Sequence, residues 1–275
     1  MKRYPWKEDR VLVCGHRGLR IYGIENTMAA FRMAIGCGVD MIETDVRLTK
    51  DGHPILMHDR TADRTTNGKG RIRDLTLAEI EGFDATVHKT VDIASEPPPT
   101  FAAFLSLMEA HPHILLNVEL KDYPEEDEKT AYLCADTVCD MILARGLAGR
   151  SFINSFSGKL LAYVYKKHGN AFFYHGFYPW FILGPMETDP ESFIDVACMQ
   201  HRMQLEDKTI QKCENPLCPE EWFTHLKSKG IMPLMAPSLK EFSLYDLAFS
   251  YGSRIVNTDD PEAMLVHLRK SKLHD

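Results

Sequence analysis

The sequence predicts an α/β fold, a single (β/α)8 barrel of the TIM type with a small insertion after the second strand. Eight short apolar segments alternate with helical patterns along the 275 residues, and such alternation is typical of βα units in a parallel sheet. A doubly wound sheet is the structural alternative. The count of eight strands and the lack of a Gly-x-Gly-x-x-Gly turn in the sequence favour the barrel.

The eight predicted strands are short runs rich in apolar residues. They are 11–15, 41–46, 114–120, 152–156, 172–175, 194–199, 231–236 and 254–258. Helical patterns fill most of the intervals between them, at 27–36, 128–145, 158–168, 220–229, 240–250 and 262–270. Gly146 and Gly230 directly follow two of these patterns, and glycine is the residue that most often ends a helix. The whole chain, 1–275, is therefore predicted to be one domain.

Residues 50–98 do not fit a simple βα unit. Asp51-Gly52 indicates a hairpin turn, after which the chain returns as a second short strand. Thr76-x-x-Glu79 is a capping box that opens a short helix. We therefore expect roughly 50–98 to form an insertion subdomain on the carboxyl-terminal face of the barrel, after the second strand.

The composition argues against some classes of partner and location. The formal net charge is −7, so no basic surface is expected to neutralise the phosphates of a nucleic acid. The first residues show neither an apolar region of roughly 7–15 residues nor a cleavage site, and no apolar run reaches the roughly 18 residues of a transmembrane helix. We therefore expect a cytoplasmic protein without a transmembrane segment, and an oligomer is compatible with the sequence.

The seven cysteines are odd in number and scattered, which is typical of reduced thiols rather than of a disulfide framework. One group has a spacing that suggests a metal, namely Cys198, His201, Cys213 and Cys218. The four residues between the last two cysteines are a loose spacing for structural zinc. Ordinary thiols are the preferred interpretation of this group, and zinc is the alternative.

Three carboxylates lie near the carboxyl ends of predicted strands, where barrel enzymes have their active sites. Glu43 and Asp45 are two residues apart and share one face of the second strand, and Glu119 lies on the third. Such carboxylates repel each other unless a cation or a proton lies between them. The flanking residues Met41, Ile42 and Val46 are apolar, which predicts a core strand. A core strand rarely carries two carboxylates without a function, so an ordinary solvated strand end is disfavoured. Because the set contains no Cys or His, it predicts one hard divalent cation, Mg²⁺ or Ca²⁺, rather than zinc.

Two cationic side chains are predicted at the same mouth of the barrel. Lys121 shares one face of the third strand with Glu119, and Arg17 follows the first strand directly. A plain ion pair between Lys121 and Glu119 is one interpretation. Beside an acidic metal site, however, the two cations are suited to an anionic substrate. Phosphate is the obvious candidate, since an arginine can donate to two of its oxygens at once.

Two histidines complete the predicted site. His16 ends the first strand, and His58 lies on the return strand of the hairpin. With Asp51-Gly52 at the hairpin centre, His58 is predicted to lie opposite Asp45 on the same face. Two imidazoles that flank a reacting centre can act as general base and general acid. A single histidine is more often structural, but two beside a carboxylate cluster favour catalysis.

Motifs across residues 14–261 have the order and spacing of a known family, and the chain resembles a glycerophosphodiester phosphodiesterase. The matching motifs are His16-Arg17-Gly18, Glu25-Asn26-Thr27, Glu43-Thr44-Asp45-Val46, residues 49–52, His58-Asp59, Arg64-x-Thr66, Val118-Glu119-Leu120-Lys121, Ser155-Phe156 and Thr258-Asp259-x-Pro261. The resemblance implies a (β/α)8 barrel with an insertion after the second strand. It also implies hydrolysis of a small-molecule glycerophosphodiester to sn-glycerol 3-phosphate and an alcohol, with one divalent cation.

The resemblance further implies roles for individual residues. The implied metal ligands are Glu43, Asp45 and Glu119, the implied acid–base pair is His16 and His58, and the implied phosphate ligands are Arg17 and Lys121. Glu25 resembles a carboxylate that borders the metal and the substrate glycerol. The alcohol, the preferred metal, the histidine that acts first as base, and the nucleophile, either water or the substrate 2-hydroxyl, stay open.

An aromatic segment, 172–184, lies at the end of the fifth predicted strand. Core packing with a subunit contact is its preferred interpretation, and the alternative is an apolar lip for the alcohol, a lipid tail or a membrane surface. A lysophospholipase D-like activity on a lipid phosphodiester is therefore the competing enzymatic hypothesis. A catalytically silent barrel that binds phosphodiesters is the competing hypothesis of another class, but it does not require the full set of catalytic side chains.

Overall fold

The structure, a computed structural model, describes residues 9–200, 202–204, 210–212, 217–237 and 241–275, with the backbone alone for 202–204 and 210–212. The strands are β1 (Leu12–Gly15), β2 (Met41–Leu48), β3 (Pro54–Leu56), β4 (Leu115–Leu120), β5 (Ser151–Asn154), β6 (Phe173–Tyr178), β7 (Val196–Met199), β8 (Arg202–Gln204), β9 (Ile210–Lys212), β10 (Met232–Met235) and β11 (Ile255–Thr258). Eight of them pair in parallel, and contacts of β1 with both β2 and β11 close the barrel. The predicted fold class is confirmed.

The helices lie between the strands. They are α1 (Met28–Cys37), α2 (Leu77–Ile80), α3 (Phe101–Glu109), α4 (Pro124–Ala144), α5 (Gly158–His168), α6 (Glu220–Ser228), α7 (Phe242–Ser250) and α8 (Pro261–Lys270). Side-chain oxygens cap several first turns, as Thr27 does by accepting from the backbone N–H of Ala30. The helices after β4, β5 and β11 begin within four residues of the strand end, whereas α1 and α3 follow β1 and β2 only after longer loops.

The predicted strands and helices all occur, with shifted ends. The largest helix shift is in α4, which begins at Pro124 rather than at residue 128. Proline fits the first turn of a helix, and the backbone leaves helical angles at Asp127, so the apolar pattern becomes visible only after that break. The fifth barrel strand, β6, extends beyond His175 to Tyr178 because the backbone pairing with β7 continues past Gly176.

The hairpin after β2 corrects the predicted register. Strand β3 pairs antiparallel with β2, with Val46 opposite Leu56, so Asp45 faces Met57 and not His58. The prediction that His58 lies opposite Asp45 is therefore wrong by one residue. The loop contains an odd number of residues, because Gly52 adopts a left-handed φ of 83°. His58 lies past the end of the strand.

The segment between β2 and α3 has a small core of its own. The buried residues of this core are Ile55, Met57, Ala62, Ile72 and Ile80. Thr76 and Glu79 form the predicted capping box at the start of α2. The assignment of roughly 50–98 as an insertion subdomain, and of 1–275 as one domain, stays a prediction.

An ionic cluster of Arg10, Asp40 and His274 lies at the amino-terminal ends of the barrel strands, opposite the end from which the segment between β2 and α3 extends. Asp40, directly before β2, accepts from the backbone N–H of Val13 at 2.8 Å and from Arg10 Nη2 at 2.7 Å. His274 Nε2 lies 2.9 Å from Asp40 Oδ2, the oxygen that also accepts from Val13, and only 3% of the His274 side chain is exposed. The hydrogen bond to Asp40 raises the pKa of His274, although burial and Arg10 act in the opposite sense.

This cluster gives a stability prediction. Because the pKa of His274 is raised in the folded state, the stabilisation is complete below its unfolded pKa near 6.5 and is lost as pH rises through the folded pKa. Relative to His274→Gln, the wild-type protein should be more stable by about 1 kcal/mol at pH 6, and by less at pH 8.5. Urea unfolding at the two pH values measures this. A difference that stays constant with pH would contradict it.

Candidate active site

Three buried carboxylates meet at the carboxyl end of the barrel. Asp45 on β2 pairs in register with Glu119 on β4, and Glu43 lies two residues before Asp45 on β2. One ligand oxygen from each residue lies within 4.8 Å of the others. Since residues two apart on a strand share a face, the pleat directs Glu43 and Asp45 to the same interior position. The predicted carboxylate cluster therefore forms as a single group.

Two cations lie against this cluster. Arg17 donates its backbone N–H to Glu43 Oε2 at 2.9 Å, and its Nε lies 3.1 Å from Asp45 Oδ2. Lys121 Nζ contacts Asp45 Oδ1 at 3.1 Å and also pairs with Glu119. The backbone of Arg17 has a left-handed φ of 56°, which is uncommon for a residue other than glycine. Both cationic side chains therefore lie against the cluster and neutralise part of it, and their role as phosphate ligands stays a prediction.

The protonation of the cluster follows from these contacts. Burial raises the pKa of Glu43 well above its usual range, and the neighbouring charges of Asp45 and Glu119 add to the effect. Burial alone would raise the pKa of Asp45 as well, but Lys121 and Arg17 outweigh it and hold that pKa below its usual range. Burial would lower the pKa of Lys121, but Glu119 and Asp45 raise it, so the lysine is charged.

The residues present fit a hard divalent cation. Three carboxylates face two cationic side chains, so one carboxylate lacks a balancing charge, and the raised pKa of Glu43 identifies it as the group that takes a proton when no cation is bound. Oxygen Oε1 of Glu43 is buried and has no hydrogen-bond partner among the described residues. A buried polar atom of this kind requires a ligand, a water or a proton. An all-oxygen donor set is what Mg²⁺ and Ca²⁺ prefer, whereas zinc favours sulfur and nitrogen ligands.

Asn26 is a residue whose role the sequence analysis missed. Its Nδ2 donates to Asp45 Oδ2 at 2.8 Å, and its Oδ1 accepts from Thr44 Oγ1 at 2.9 Å. The backbone of Asn26 is left-handed with a φ of 56°, a conformation that asparagine tolerates better than most residues. The signal was present in the Glu25-Asn26-Thr27 motif, but spacing alone does not show which side chain an amide will reach.

His16 lies at the end of β1 with one nitrogen near the acidic cluster. Its Nε2 is 3.9 Å from Glu43 Oε2, and its Nδ1 is 2.5 Å from Asp259 Oδ1. Asp259 directly follows β11, the strand that pairs with β1. Burial lowers the pKa of His16, although its hydrogen bond to Asp259 raises it in part. The imidazole is therefore neutral near pH 7, as a general base requires.

His58 follows β3 and also has an aspartate partner. Its Nδ1 lies 2.7 Å from Asp59 Oδ1. Burial lowers the pKa of His58. The charge of Asp45 raises this pKa and that of Lys121 lowers it, so the imidazole interacts electrostatically with the cluster. Although its predicted register was wrong, His58 lies just past the end of β3 on the same side, where its backbone carbonyl accepts from Arg47.

Glu25 lies beside the cluster, with its carboxylate held by arginines. Arg17 Nη1 donates to Oε1 at 2.8 Å, Arg20 Nε donates to Oε2 at 3.1 Å, and Arg64 donates to both oxygens. Burial would raise the pKa of Glu25, but the arginines lower it to about 2. Among the residues described, the group that could hold a metal comprises Glu43, Asp45 and Glu119. The role of Glu25 beside the metal and the glycerol stays a prediction.

The structure therefore brings all eight predicted site residues to one mouth. Sequence reasoning gave no role to the residues that hold them, although most lie within the quoted motifs. These supporting residues are Arg20, Asn26, Asp59, Arg64 and Asp259. The aspartate that directly follows His58 was the one local signal that could have been used.

A groove opens beside Lys121. The Nζ atom of Lys121 lies 5.6 Å from the ring centre of Phe156, which lines the groove together with Tyr123 and residues 182–185. Its volume is about 280 Å³. In the aromatic segment 172–184, Phe177 stacks on Phe156 with ring centres 3.5 Å apart. Part of the segment therefore packs in the core and part borders the groove, whereas contact with a membrane or another subunit stays a prediction.

The proposed zinc group is only partly described. Cys198 and Cys218 are buried, and Cys198 Sγ accepts from Gln200 Nε2 at 3.3 Å. His201 and Cys213 lie outside the described residues. The choice between thiols and zinc therefore stays as the sequence left it.

Comparisons with known proteins agree with the site. The sequence model of the Glycerophosphoryl diester phosphodiesterase family matches residues 16–188. A glycerophosphodiester phosphodiesterase of Caldanaerobacter subterraneus subsp. tengcongensis is 44% identical over 124 residues, which cover 44% of this chain and 51% of the relative. One of Bacillus altitudinis is 34% identical over 158 residues, which cover 56% and 61%. The chain spans about half the length of the curated relatives it matches.

Solved structures show the same fold. A phosphodiesterase of Oleispira antarctica, in complex with the product sn-glycerol-3-phosphate, aligns with a TM-score of 0.73 at 21% identity over 94% of this chain and 96% of that one. A glycerophosphoryl diester phosphodiesterase of Parabacteroides distasonis aligns with a TM-score of 0.68 at 23% identity over 98% and 90%. None of the helices in the described part of the chain is long and apolar enough to span a bilayer.

Proposed function

Because the chain belongs to the glycerophosphoryl diester phosphodiesterase family, we propose that it is a metal-dependent enzyme that hydrolyses glycerophosphodiesters to sn-glycerol 3-phosphate and an alcohol. The observation that carries this proposal is the convergence of two histidines, three buried carboxylates and two cations at one barrel mouth. The curated relatives bear the name of this activity. The proposed substrate is a small molecule.

We assign the metal-ligand role to the acidic cluster. Glu43, Asp45 and Glu119 would hold one divalent cation, Mg²⁺ or Ca²⁺, and the unpartnered Oε1 of Glu43 supports this assignment. When bound, such a cation supplies positive charge that stabilises a phosphoryl oxygen. The charged Lys121 and Arg17 would add two further donors for the remaining phosphoryl oxygens, since both already lie against Asp45.

The two histidines would move the protons. One neutral imidazole takes the proton of the nucleophile, which is either water or the 2-hydroxyl of the substrate glycerol, as the new P–O bond forms. The other gives a proton to the departing alkoxide as the old P–O bond breaks. With water this step yields sn-glycerol 3-phosphate directly, whereas the 2-hydroxyl yields a cyclic phosphate, which a water molecule must open in a second step with the two histidines in exchanged roles. Burial lowers the pKa of both His16 and His58, which suits the base. A bound anionic phosphodiester would raise the pKa of the nearer imidazole, which suits the acid.

A panel of glycerophosphodiesters assayed with Mg²⁺ and with Ca²⁺ tests this function. We expect sn-glycerol 3-phosphate to form from glycerophosphocholine or glycerophosphoethanolamine, to be lost in EDTA, and to return with excess cation. A phosphodiester without glycerol is the matched control substrate. Binding of these compounds without hydrolysis under any cation would instead support the catalytically silent barrel.

The groove beside Lys121 favours one second candidate, a lysophospholipase D-like activity. Its wall, formed by Phe156 and residues 182–185, is largely apolar, and it begins next to a proposed phosphate ligand. Its volume is about 280 Å³, and we favour the small alcohol because the curated relatives bear the name of that activity. Comparing turnover of glycerophosphoethanolamine with that of lysophosphatidylethanolamine separates the two candidates.

A further inference from the structure

The two histidines of the site lie at the ends of one continuous chain of ion pairs. His16 Nδ1 lies 2.5 Å from Asp259 Oδ1, and Arg20 Nη1 donates to the same carboxylate at 3.2 Å. Arg20 Nε then donates to Glu25 Oε2 at 3.1 Å. The first histidine is therefore connected to Glu25 through one aspartate and one arginine.

From Glu25 the chain continues to the second histidine. Arg64 donates to Glu25 through Nη1 at 3.0 Å and through Nη2 at 2.7 Å. The same guanidinium donates to Asp59 through Nε at 2.6 Å and through Nη2 at 2.9 Å. Asp59 Oδ1 lies 2.7 Å from His58 Nδ1. Arg64 thus bridges two carboxylates with both edges of its fork, a geometry that fixes orientation as well as distance.

The aspartates determine which ring nitrogen carries hydrogen. An ionised carboxylate only accepts hydrogen bonds, so Nδ1 of His16 and Nδ1 of His58 must each be the donor. In a neutral imidazole the hydrogen on Nδ1 leaves Nε2 with its lone pair. For His16, Nε2 is the atom that lies 3.9 Å from Glu43. Both imidazoles are therefore held in the tautomer that leaves Nε2 ready to accept a proton.

The position of Glu25 explains why this series of ion pairs holds together. Its side chain is only 10% exposed, and three guanidinium groups surround it. An isolated exposed ion pair contributes little, but a carboxylate shared by three guanidinium groups, one of them bidentate, restricts all of them. The residues of this series of ion pairs come from loops after β1, β3 and β11, so the network joins three separate parts of the barrel mouth.

We propose that Asp259 and Asp59 are positioning residues for His16 and His58, and that Glu25, through Arg20 and Arg64, couples the two histidine–aspartate pairs into one unit. The inference rests on the proposed function and deepens it. Glu25 acts in this scheme through the arginines, without touching the metal. This role differs from the one that the family resemblance implies for it, and the two roles predict different kinetics.

The variants Asp259→Asn and Asp59→Asn test the positioning role with two substrates. For glycerophosphocholine, whose leaving alkoxide needs a proton, kcat should fall about 100-fold in both variants with little change in KM. For a glycerol p-nitrophenyl phosphodiester the leaving group needs no proton. Only the variant that disturbs the base should then stay impaired, and the variant that disturbs the acid should recover most of its activity. Equal losses on both substrates in both variants would overturn the assignment.

The variant Glu25→Gln separates the coupling role from a role at the metal. We expect kcat to fall roughly tenfold while cation affinity stays unchanged, since the contacts of Glu25 are with arginines. A weakened cation affinity would overturn the coupling role and favour direct contact with the metal; KM does not distinguish the two roles, because Arg17, a proposed phosphate ligand, also donates to Glu25. Asp63→Asn is the control, because Asp63 lies in the same loop as Arg64 but pairs with Lys69 and Gly70.

A spectroscopic measurement tests the positioning role of the two aspartates independently of enzyme activity. In ¹⁵N-labelled protein, long-range ¹H–¹⁵N spectra should show His16 and His58 as Nδ1–H tautomers, and each Asp→Asn variant should shift its own histidine toward a mixture. Wild-type histidines with hydrogen on Nε2 would overturn the proposal. If the wild-type protein hydrolysed no glycerophosphodiester, the proposed function would fail, while these spectra would still confirm or refute the positioning.

Discussion

Replacing either His16 or His58 with alanine is expected to lower kcat for glycerophosphocholine by about 10²- to 10⁴-fold, which is the usual contribution of general acid–base catalysis. The two imidazoles approach the acidic cluster from different elements, and each has its Nδ1 held by an aspartate. Loss of one therefore removes one proton transfer without moving the ligand carboxylates. Steady-state kinetics with glycerophosphocholine measure the effect, and calorimetric titration with Mg²⁺ or Ca²⁺ should show that cation binding persists.

The hairpin provides a matched control for these variants. His53 lies in the loop between β2 and β3 with 54% of its side chain exposed, so His53→Ala should leave kcat unchanged. The double variant of His16 and His58 should lose less than the product of the single losses, because the two residues act in one proton relay. Full activity in both single variants would show that neither imidazole transfers a proton.

The barrel, and the gathering of the eight candidate residues at one mouth, could be predicted because most of their signals are local or periodic. Glu43 and Asp45 share a face through the pleat of one strand, and parallel strands of a barrel end at the same mouth. That is enough to gather Glu119 and Lys121 without knowledge of side-chain contacts. The register of the hairpin could not be predicted, since one left-handed residue, Gly52, changes the loop from even to odd.

The supporting network was not predictable for a different reason. His16 and Asp259 are 243 residues apart, and only the closure of β1 against β11 makes them neighbours. Arginine side chains are long, so the sequence does not show which of several carboxylates Arg20 or Arg64 will reach. Contacts of this kind depend on tertiary geometry, whereas the strand alternation that places the ligands depends on the backbone alone.

Charge repulsion in the acidic cluster gives a prediction in which stability and activity change in opposite directions. In metal-free protein, Glu43→Gln should raise the free energy of unfolding by about 1–3 kcal/mol and abolish cation-dependent hydrolysis. The side chain is 1% exposed beside two other carboxylates, and its pKa is raised, so at neutral pH folding without a cation requires Glu43 to take up a proton, a cost that glutamine does not have. Glutamine keeps the shape, and its carbonyl oxygen can still accept from the backbone N–H of Arg17.

Unfolding in urea, measured in EDTA and in excess Mg²⁺, tests both halves of this prediction. The cation should stabilise the wild-type protein, because it binds the folded state and not the unfolded one, and should stabilise Glu43→Gln much less. The order of stability would then reverse between the two conditions. Glu81→Gln, at an exposed position directly after α2, is the control and should show no such reversal. A variant that is less stable than wild type in EDTA, or that binds the cation equally well, would show that Glu43 is not repelled by its neighbours and is not a ligand.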